Sequence, residues 1–382
     1  MRGGTSRAVF FRDEVMAPYD RVTRDNIILT ALGSSDPDGR QIDGLGGGMS
    51  SLSKAAIIGC SANPAYDVTF NFAQVDVKKL FVDWGGTCGN MSAAVGPFAI
   101  DEGLIPAVEP VTRIHVLATN TSKSYIAHVP VRDGQADVEG DYSIDGVPGP
   151  GARIALEYLK PDGSLSGDLL PTGLPRQPIR LADGRTVTIS IVDATLPMVY
   201  VRAAELGADA TLLAPALDSD RALQATLEEI RCHAAVLLGM APNVEMAHDQ
   251  VKAVPKIAIV APPAAYRSSS GGSGSVEYID LVSRAISMEN THRTFPVTSS
   301  MCTAVAVAIT GTVVQEVSRA AGTERLRLGH PAGMMEVGAK VQRRGTDWEV
   351  ESVTTQRTAR RIMEGVILVP QRAMEGESWF RE

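Results

Sequence analysis

One stretch constrains this chain more than any other: Asp83 to Ile100, DWGGTCGNMSAAVGPFAI. Its first half is glycine-rich around Thr87, Cys88 and Asn90 and reads as a tight turn. Its second half, Met91, Ala93, Ala94, Val95, Phe98, Ala99 and Ile100, is small and apolar and favours a helix. Cys88 then falls at or just before a helix N-terminus, where unpaired N–H groups and the macrodipole favour negative charge. That setting stabilises a thiolate and a bound carboxylate alike. A free cysteine is more often a buried small hydrophobe. A core cysteine, however, needs no Gly-Gly-Thr-Cys-Gly-Asn context, so Cys88 is a candidate catalytic group.

A second run of the same character, MCTAVAVAI over residues 301 to 309, follows the loop TFPVTSS. Short strand-like segments surround each run, among them residues 55–58, 68–75, 113–117 and 125–131 in the first half. In the second half they include 185–192, 198–202, 256–260 and 325–328. The two halves therefore share a plan, many short strands around one buried, alanine-rich helix, which is a weak internal repeat. At 382 residues, two domains is the natural division. The loop PDGSLSGDLLPTGLP, residues 161 to 175, is the expected linker, which gives domains 1–170 and 171–382 with the last strand free to return to the first. Two helix N-termini facing a cleft would bind an anion with little need for arginine.

Arg21 to Leu32 has helical spacing, and Gly33 can end it. The long loop from Ser34 to Gly48 is of the kind that is commonly functional or mobile. Lys54 closes MSSLSK behind that glycine run, at the start of an apolar strand; a lysine there is ordinarily a solvated charge. Residues 266–275, YRSSSGGSGS, read as mobile, residues 279–288 as helix or strand, 358–363 as a turn of helix, and 365–369 as a strand.

Net charge of −8 and 5% aromatic residues argue against nucleic-acid binding. No apolar run is long enough to span a bilayer, and no signal peptide is visible. The four cysteines, Cys60, Cys88, Cys232 and Cys302, include no C-x-x-C pair, so neither a zinc site nor a disulfide framework is supported. A reduced cytoplasm is the simplest setting.

The segments RGGTSR, GGGMSSLSKAAII, DWGGTCGNMSAAVGPFAI, THRTFPVTS with MCTAVAVAITGTV, GHPAG and RTARRIMEGVILVP occur in order and span nearly the whole chain. Together they resemble the PrpF family, which includes 2-methylaconitate isomerase, 4-oxalomesaconate tautomerase, and methylitaconate and aconitate isomerases. The resemblance implies an α+β, diaminopimelate epimerase-like fold: two pseudo-symmetric domains, each with strands wrapped around a central helix, and an active site in the cleft between them. It implies cofactor-independent proton transfer that moves a C=C bond in an unsaturated di- or tricarboxylate. Carried over by motif, Lys54 and Cys88 are the catalytic residues. The candidates for holding carboxylates are Arg2, Thr5, Ser6, Ser51, Ser53, Gly89, Asn90 and Met91 in the first domain, and Thr298, Ser299, Ser300 and Met301 in the second. His292 and Arg293 are weaker candidates for a third carboxylate.

No metal, cofactor, nucleic-acid or membrane partner is expected; the partner is a small carboxylate, and a homodimer is the assembly to test. In amino-acid epimerases of this fold two cysteines form the acid–base pair. Cys302 stands near the second position, but behind Ser299-Ser300-Met301 in place of a glycine-rich turn, so it is expected to be buried structure. The alternatives are an amino-acid racemase or epimerase and a non-catalytic anion-binding protein. Gly-Thr before Cys88 departs from the methylaconitate isomerases, and the THRTFPVT loop is closer to the tautomerase and the methylitaconate or aconitate isomerase branches.

Overall fold

The computed structural model describes residues 1–251, 254–269, 271–287 and 290–375. The chain divides into two compact units, Met1–Glu157 with Gln356–Glu382, and Tyr158–Thr355. The passage between them falls within the strand Ile154–Leu159 and not in the loop expected as a linker. Proline and glycine there signal turns, but the turns are packed onto the second unit. The backbone N–H groups of Leu165 and Ser166 donate to the Asp193 carboxylate at 2.9 and 2.7 Å, and Leu169 joins the core.

In the first unit, Val9–Arg12 runs parallel to Lys54–Cys60, which is antiparallel to Val68–Val75. Val68–Val75 is in turn parallel to Val111–Ala118, which is antiparallel to Lys123–Arg132. One face of this sheet buries Ala55, Ile57, Ala73 and Val75 with Ile28, Leu29 and Leu32 of the helix Arg21–Leu32. That helix is capped as its sequence suggests. Asp20 accepts from the Thr23 N–H at 2.8 Å, and Gly33 closes the other end at φ 72°. The helix Gly89–Asp101 packs against strands Lys54–Cys60 and Lys123–Arg132. Met91 to Ile100 are all buried, because a helix apolar on every side is stable only when surrounded. Gly96 allows the closest approach: a Cβ there would lie 2.5 Å from Val129 Cγ2.

The second unit repeats the order of pairings. Leu196–Arg202 is parallel to Lys256–Ala261, which is antiparallel to Leu281–Ser287. That strand is parallel to Arg325–His330, itself antiparallel to Gly333–Arg344. The helix Arg221–Leu237 covers one face through Leu223, Leu227 and Ile230, against Ile257 and Ile259. The helix Val297–Ala308 is buried on the other, against Ala258, Val260, Leu328 and Val337. Each unit thus uses the same parallel–antiparallel–parallel–antiparallel series. A helix follows the first strand of each series, and a buried helix follows the third. This is the diaminopimelate epimerase-like architecture.

Three local readings differ. Ala359–Arg360 is extended, not helical, because it pairs with Arg2–Gly3; edge pairing overrides the helix propensity of Ala, Arg and Met. Residues 365–369 form no strand. The Ser34–Gly48 loop is built into the unit: Leu45 and Gly46 N–H donate to Ala31 and Leu32 carbonyls at 2.8 and 3.1 Å. In the other uncertain segments, Leu281–Ser287 is a strand, and Tyr266–Arg267 pairs with Ser273–Gly274. Ser270 and Met288 lie outside the described residues.

Candidate active site

Strand alternation decides where Lys54 points. Ala55 and Ile57 face the Arg21–Leu32 helix, so Lys54, Ala56 and Ile58 share the face carrying the Gly89–Asp101 helix. Lys54 is only 7% exposed. Its cross-strand partner is Gln74, whose Oε1 accepts a hydrogen bond from the Lys54 amine, and the amine stands 5.4 Å from the Phe72 ring centroid. Burial pulls the amine below the usual lysine range, and the negative charge of a Cys88 thiolate pulls it back up. Amine and thiol, distant in the chain, are therefore close enough to interact electrically.

Cys88 is the N-cap residue of the Gly89–Asp101 helix and is half-buried in an extended backbone conformation, φ −131°. Its carbonyl accepts the first helical bond from Ser92 N–H at 2.9 Å and the Ser92 hydroxyl at 3.1 Å. No side chain caps the helix head, so the N–H groups of Gly89, Asn90 and Met91 are available to an anion. The Met91 side chain is fully buried, and only its backbone can serve a ligand.

The N-terminal loop lies against this helix head. Asn90 Nδ2 donates to Thr5 Oγ1 at 3.1 Å and to Ser6 Oγ at 3.3 Å. Gly4, at φ +49°, passes so close that a Cβ would meet Asn90 Oδ1 at 2.2 Å. Arg2 Nη1 donates to the Gly4 carbonyl at 3.1 Å and to the Thr358 carbonyl and hydroxyl at 3.0 Å each, so this nitrogen ties the loop to the returning chain. Ser51 lies half-buried in the turn Ser50–Leu52, and Ser53 is buried next to Lys54.

Two glutamines of this region were not singled out from sequence. Gln74 Nε2 donates to the Ser53 and Ser50 carbonyls at 2.9 and 3.1 Å, which locks the segment preceding Lys54. Gln41, buried at φ 53°, donates to Ser53 Oγ at 2.7 Å and Ser34 Oγ at 2.8 Å and accepts from Gly48 N–H at 2.9 Å. Both are long-range partners, and nothing local marks them beyond polar residues in otherwise apolar or glycine-rich stretches.

The remaining candidates belong to the second unit. Thr298, Ser299, Ser300 and Met301 head the Val297–Ala308 helix, which is likewise uncapped by any side chain. Ser300 Oγ donates to the Val297 carbonyl at 2.7 Å, the Thr298 carbonyl accepts from Thr195 at 2.8 Å, and Met301 is fully buried. Ser299 Oγ is buried without a partner. Cys302 is 0% exposed, donates to the Val192 carbonyl at 3.3 Å, and burial pushes its thiol up to about 12. It is a structural cysteine. Arg293 pairs with Asp218 at 3.5 Å, and burial holds His292 down at about 4.

Among the described residues one group could ligate a metal: Glu228, Cys232 and His248, with ligand atoms within 4.8 Å of one another. They line a cavity of about 440 Å³ in the second unit. The Glu228 carboxylate already accepts two bonds from Arg231, at 2.6 and 2.7 Å, and lies 3.0 Å from His248 Nδ1.

The repeated strand series and the buried helix of each unit define the class, a diaminopimelate epimerase-like protein. The family model described as PrpF protein matches residues 1–370, and the chain belongs to that family. It is 42% identical over 371 residues to 3-methylitaconate isomerase of Eubacterium barkeri, covering 97% of this chain and 96% of the relative. It is 38% identical over 381 residues to 2-methyl-aconitate isomerase of Shewanella oneidensis, again 97% and 96%. It is 34% identical over 372 residues to 4-oxalomesaconate tautomerase of Pseudomonas putida, 97% and 94%. The crystal structure of a methylitaconate-delta-isomerase superposes with a TM-score of 0.89 at 40% identity, covering 100% of this chain and 97% of that one.

Proposed function

We propose that this protein is an isomerase that moves a C=C bond within an unsaturated di- or tricarboxylate by a 1,3-proton shift. The neutral Lys54 amine takes a proton from carbon alpha or vinylogous to a carboxylate. The released electron pair delocalises into that carboxylate as a dienolate, and the N–H groups of Gly89, Asn90 and Met91 offset the growing charge. The Cys88 thiol delivers a proton to the far carbon of the allylic system. This leaves an ammonium and a thiolate, and a proton passing from Lys54 to Cys88 restores the starting state. Asn90, Thr5, Ser6, Ser51 and Ser53 shape the carboxylate pocket of this unit, and Arg2 holds its loop in place.

The observation that carries the reading is the pairing of a burial-depressed amine with a thiol at the head of an uncapped helix. A proton-transfer base works best with a pKa drawn toward the operating pH, and burial draws a lysine that way. A two-thiol racemase needs a second acidic cysteine, and Cys302 is held as a neutral, bonded thiol. The names of the relatives support methylitaconate, methylaconitate and oxalomesaconate as the compounds to try.

Proton NMR in D₂O tests the reading. The panel is methylitaconate, 2-methylaconitate, 4-oxalomesaconate, and cis- and trans-aconitate. Migration of the double bond with deuterium uptake in one of them is the expected outcome; no exchange in any would overturn the isomerase.

A further inference from the structure

Two helices of the second unit bring three kinds of metal-binding side chain together. Glu228 and Cys232 stand one turn apart on the helix Arg221–Leu237 and so share a face. His248 comes from the short helix Val244–Gln250, which packs against it. Cys232 Sγ lies 3.3 Å from Glu228 Oε1, His248 Nδ1 lies 3.0 Å from the same oxygen, and the three ligand atoms fall within 4.8 Å of one another. A four-coordinate zinc ion, with bonds of about 2.0–2.3 Å, holds such atoms about 3.3–3.6 Å apart. The spacing found needs to open by only a few tenths of an ångström.

Without an ion these contacts overload one atom. Glu228 Oε1 faces Arg231 Nη2 at 2.6 Å as well as the thiol and the imidazole, and one carboxylate oxygen has about two lone-pair sites. His248 Nδ1 either competes for a site there or, as an acceptor, repels the oxygen. A cation held by Oε1, Sγ and Nδ1 removes the conflict. The thiol releases its proton to solvent, the imidazole offers its Nδ1 lone pair, and carboxylate and thiolate bring two negative charges to a divalent ion. Arg231 keeps its bond from Nε to Glu228 Oε2 at 2.7 Å, and it also donates to the Ala247 and Val251 carbonyls. It thereby fixes the helix carrying His248 against the helix carrying the other two, the kind of outer support that orients a ligating carboxylate.

A second observation points to an occupant. Glu228, Cys232 and His248 line a cavity of about 440 Å³, and the His248 side chain is 46% exposed, which leaves a way in. Gln224, one turn before Glu228, lines the same cavity. It is 9% exposed, and its Oε1 is buried without a hydrogen-bond partner. Such an acceptor suits a water on the open position of a three-ligand zinc ion.

We propose that Glu228, Cys232 and His248 bind a zinc ion that clips the helix Val244–Gln250 onto the helix Arg221–Leu237, with water in the fourth position. The helix Arg221–Leu237 covers the sheet face opposite the buried helix Val297–Ala308, and Lys54 and Cys88 belong to the first unit. The ion therefore has a structural duty and no part in proton transfer. No C-x-x-C pair announces it, because one thiol, one imidazole and one carboxylate from two helices leave no such pattern.

Cobalt titration of the full chain, stripped of metal with a chelator, tests this, because Co²⁺ bound to a thiolate absorbs through sulfur-to-cobalt charge transfer. The band is expected to saturate at one Co²⁺ per chain and to be bleached by Zn²⁺. Cys232→Ser should abolish it, whereas Cys60→Ser, which removes the exposed thiol, should leave it unchanged. His248→Gln changes an exposed side chain, so this variant should melt as the metal-free wild type does, yet bind Zn²⁺ about a hundredfold more weakly. Excess Zn²⁺ should accordingly raise the melting temperature of the wild type more than that of His248→Gln. Absence of the band in the wild type would overturn the site. So would a band that survives in Cys232→Ser or is lost in Cys60→Ser, and so would an unchanged Zn²⁺ affinity in His248→Gln.

Discussion

At the residue scale the chemistry turns on the state of one amine. Lys54 is buried, which favours its neutral form, while Gln74 Oε1 accepts from it and favours the ammonium. Gln74→Leu removes that acceptor, so the amine should lose its proton more readily. If neutral Lys54 is the base, activity falls as pH drops through its pKa. The acid limb of kcat/KM in Gln74→Leu is therefore expected to move to lower pH, with kcat reduced about tenfold by the loosened Ser50–Ser53 segment. A limb that stays in place would mean that another group titrates there. Cys302→Ala gives the opposite kind of control. It deletes a buried thiol and should cost stability, on the order of 1–2 kcal/mol, yet kcat should stay within about twofold of wild type. A large loss of turnover in a folded Cys302→Ala protein would revive the two-thiol racemase.

At the scale of elements, the site depends on a loop laid against a helix head. Gly4 stands at φ +49°, and its missing Cβ is what lets Asn90 reach Thr5 and Ser6. Alanine at this position meets both a disfavoured backbone conformation and a contact at 2.2 Å. Gly4→Ala should therefore cost about 1–3 kcal/mol in urea unfolding and raise KM more than it lowers kcat, because Lys54 and Cys88 are untouched. Unchanged KM in that variant would show that the loop does not position carboxylate-binding groups. Arg361 acts at the far end of the same helix, pairing with Glu102 at 2.7 Å and standing 5.7 Å from the Phe98 ring centroid. It is part of the packing of the returning chain.

At the scale of the whole molecule, much was legible in the sequence because the informative features are local. A glycine turn before an alanine-rich run marks a buried helix and its head, and this placed Cys88 as N-cap and Cys302 within the second helix. Asp20 and Gly33 framed the Arg21–Leu32 helix for equally local reasons. Gln74 and Gln41 were not legible, because their value comes from partners brought in by strand register and by a loop that folds back on itself. The unit boundary was misplaced because Pro and Gly report turns without reporting which core the turn packs on.

Stability carries one pH signature at this scale. His292 is held at about 4 against 6.5 for the free side chain, so the folded chain binds fewer protons than the unfolded chain between those values. Its contribution is complete above about pH 6.5 and is lost as pH falls toward 4. The expected loss is on the order of 2–3 kcal/mol, read as a fall in urea midpoint over that window. His292→Gln should flatten the slope; an unchanged slope would assign it to other groups.

The central claim is the division of labour between Lys54 and Cys88, and washout of substrate protons into D₂O, seen as deuterium uptake, reads it most directly. Lys54→Ala should abolish washout and double-bond migration together, each by about a thousandfold or more. Cys88→Ser should slow migration by a hundredfold or more while washout at the abstracted position persists. Washout that survives in Lys54→Ala but vanishes in Cys88→Ser would contradict the assignment.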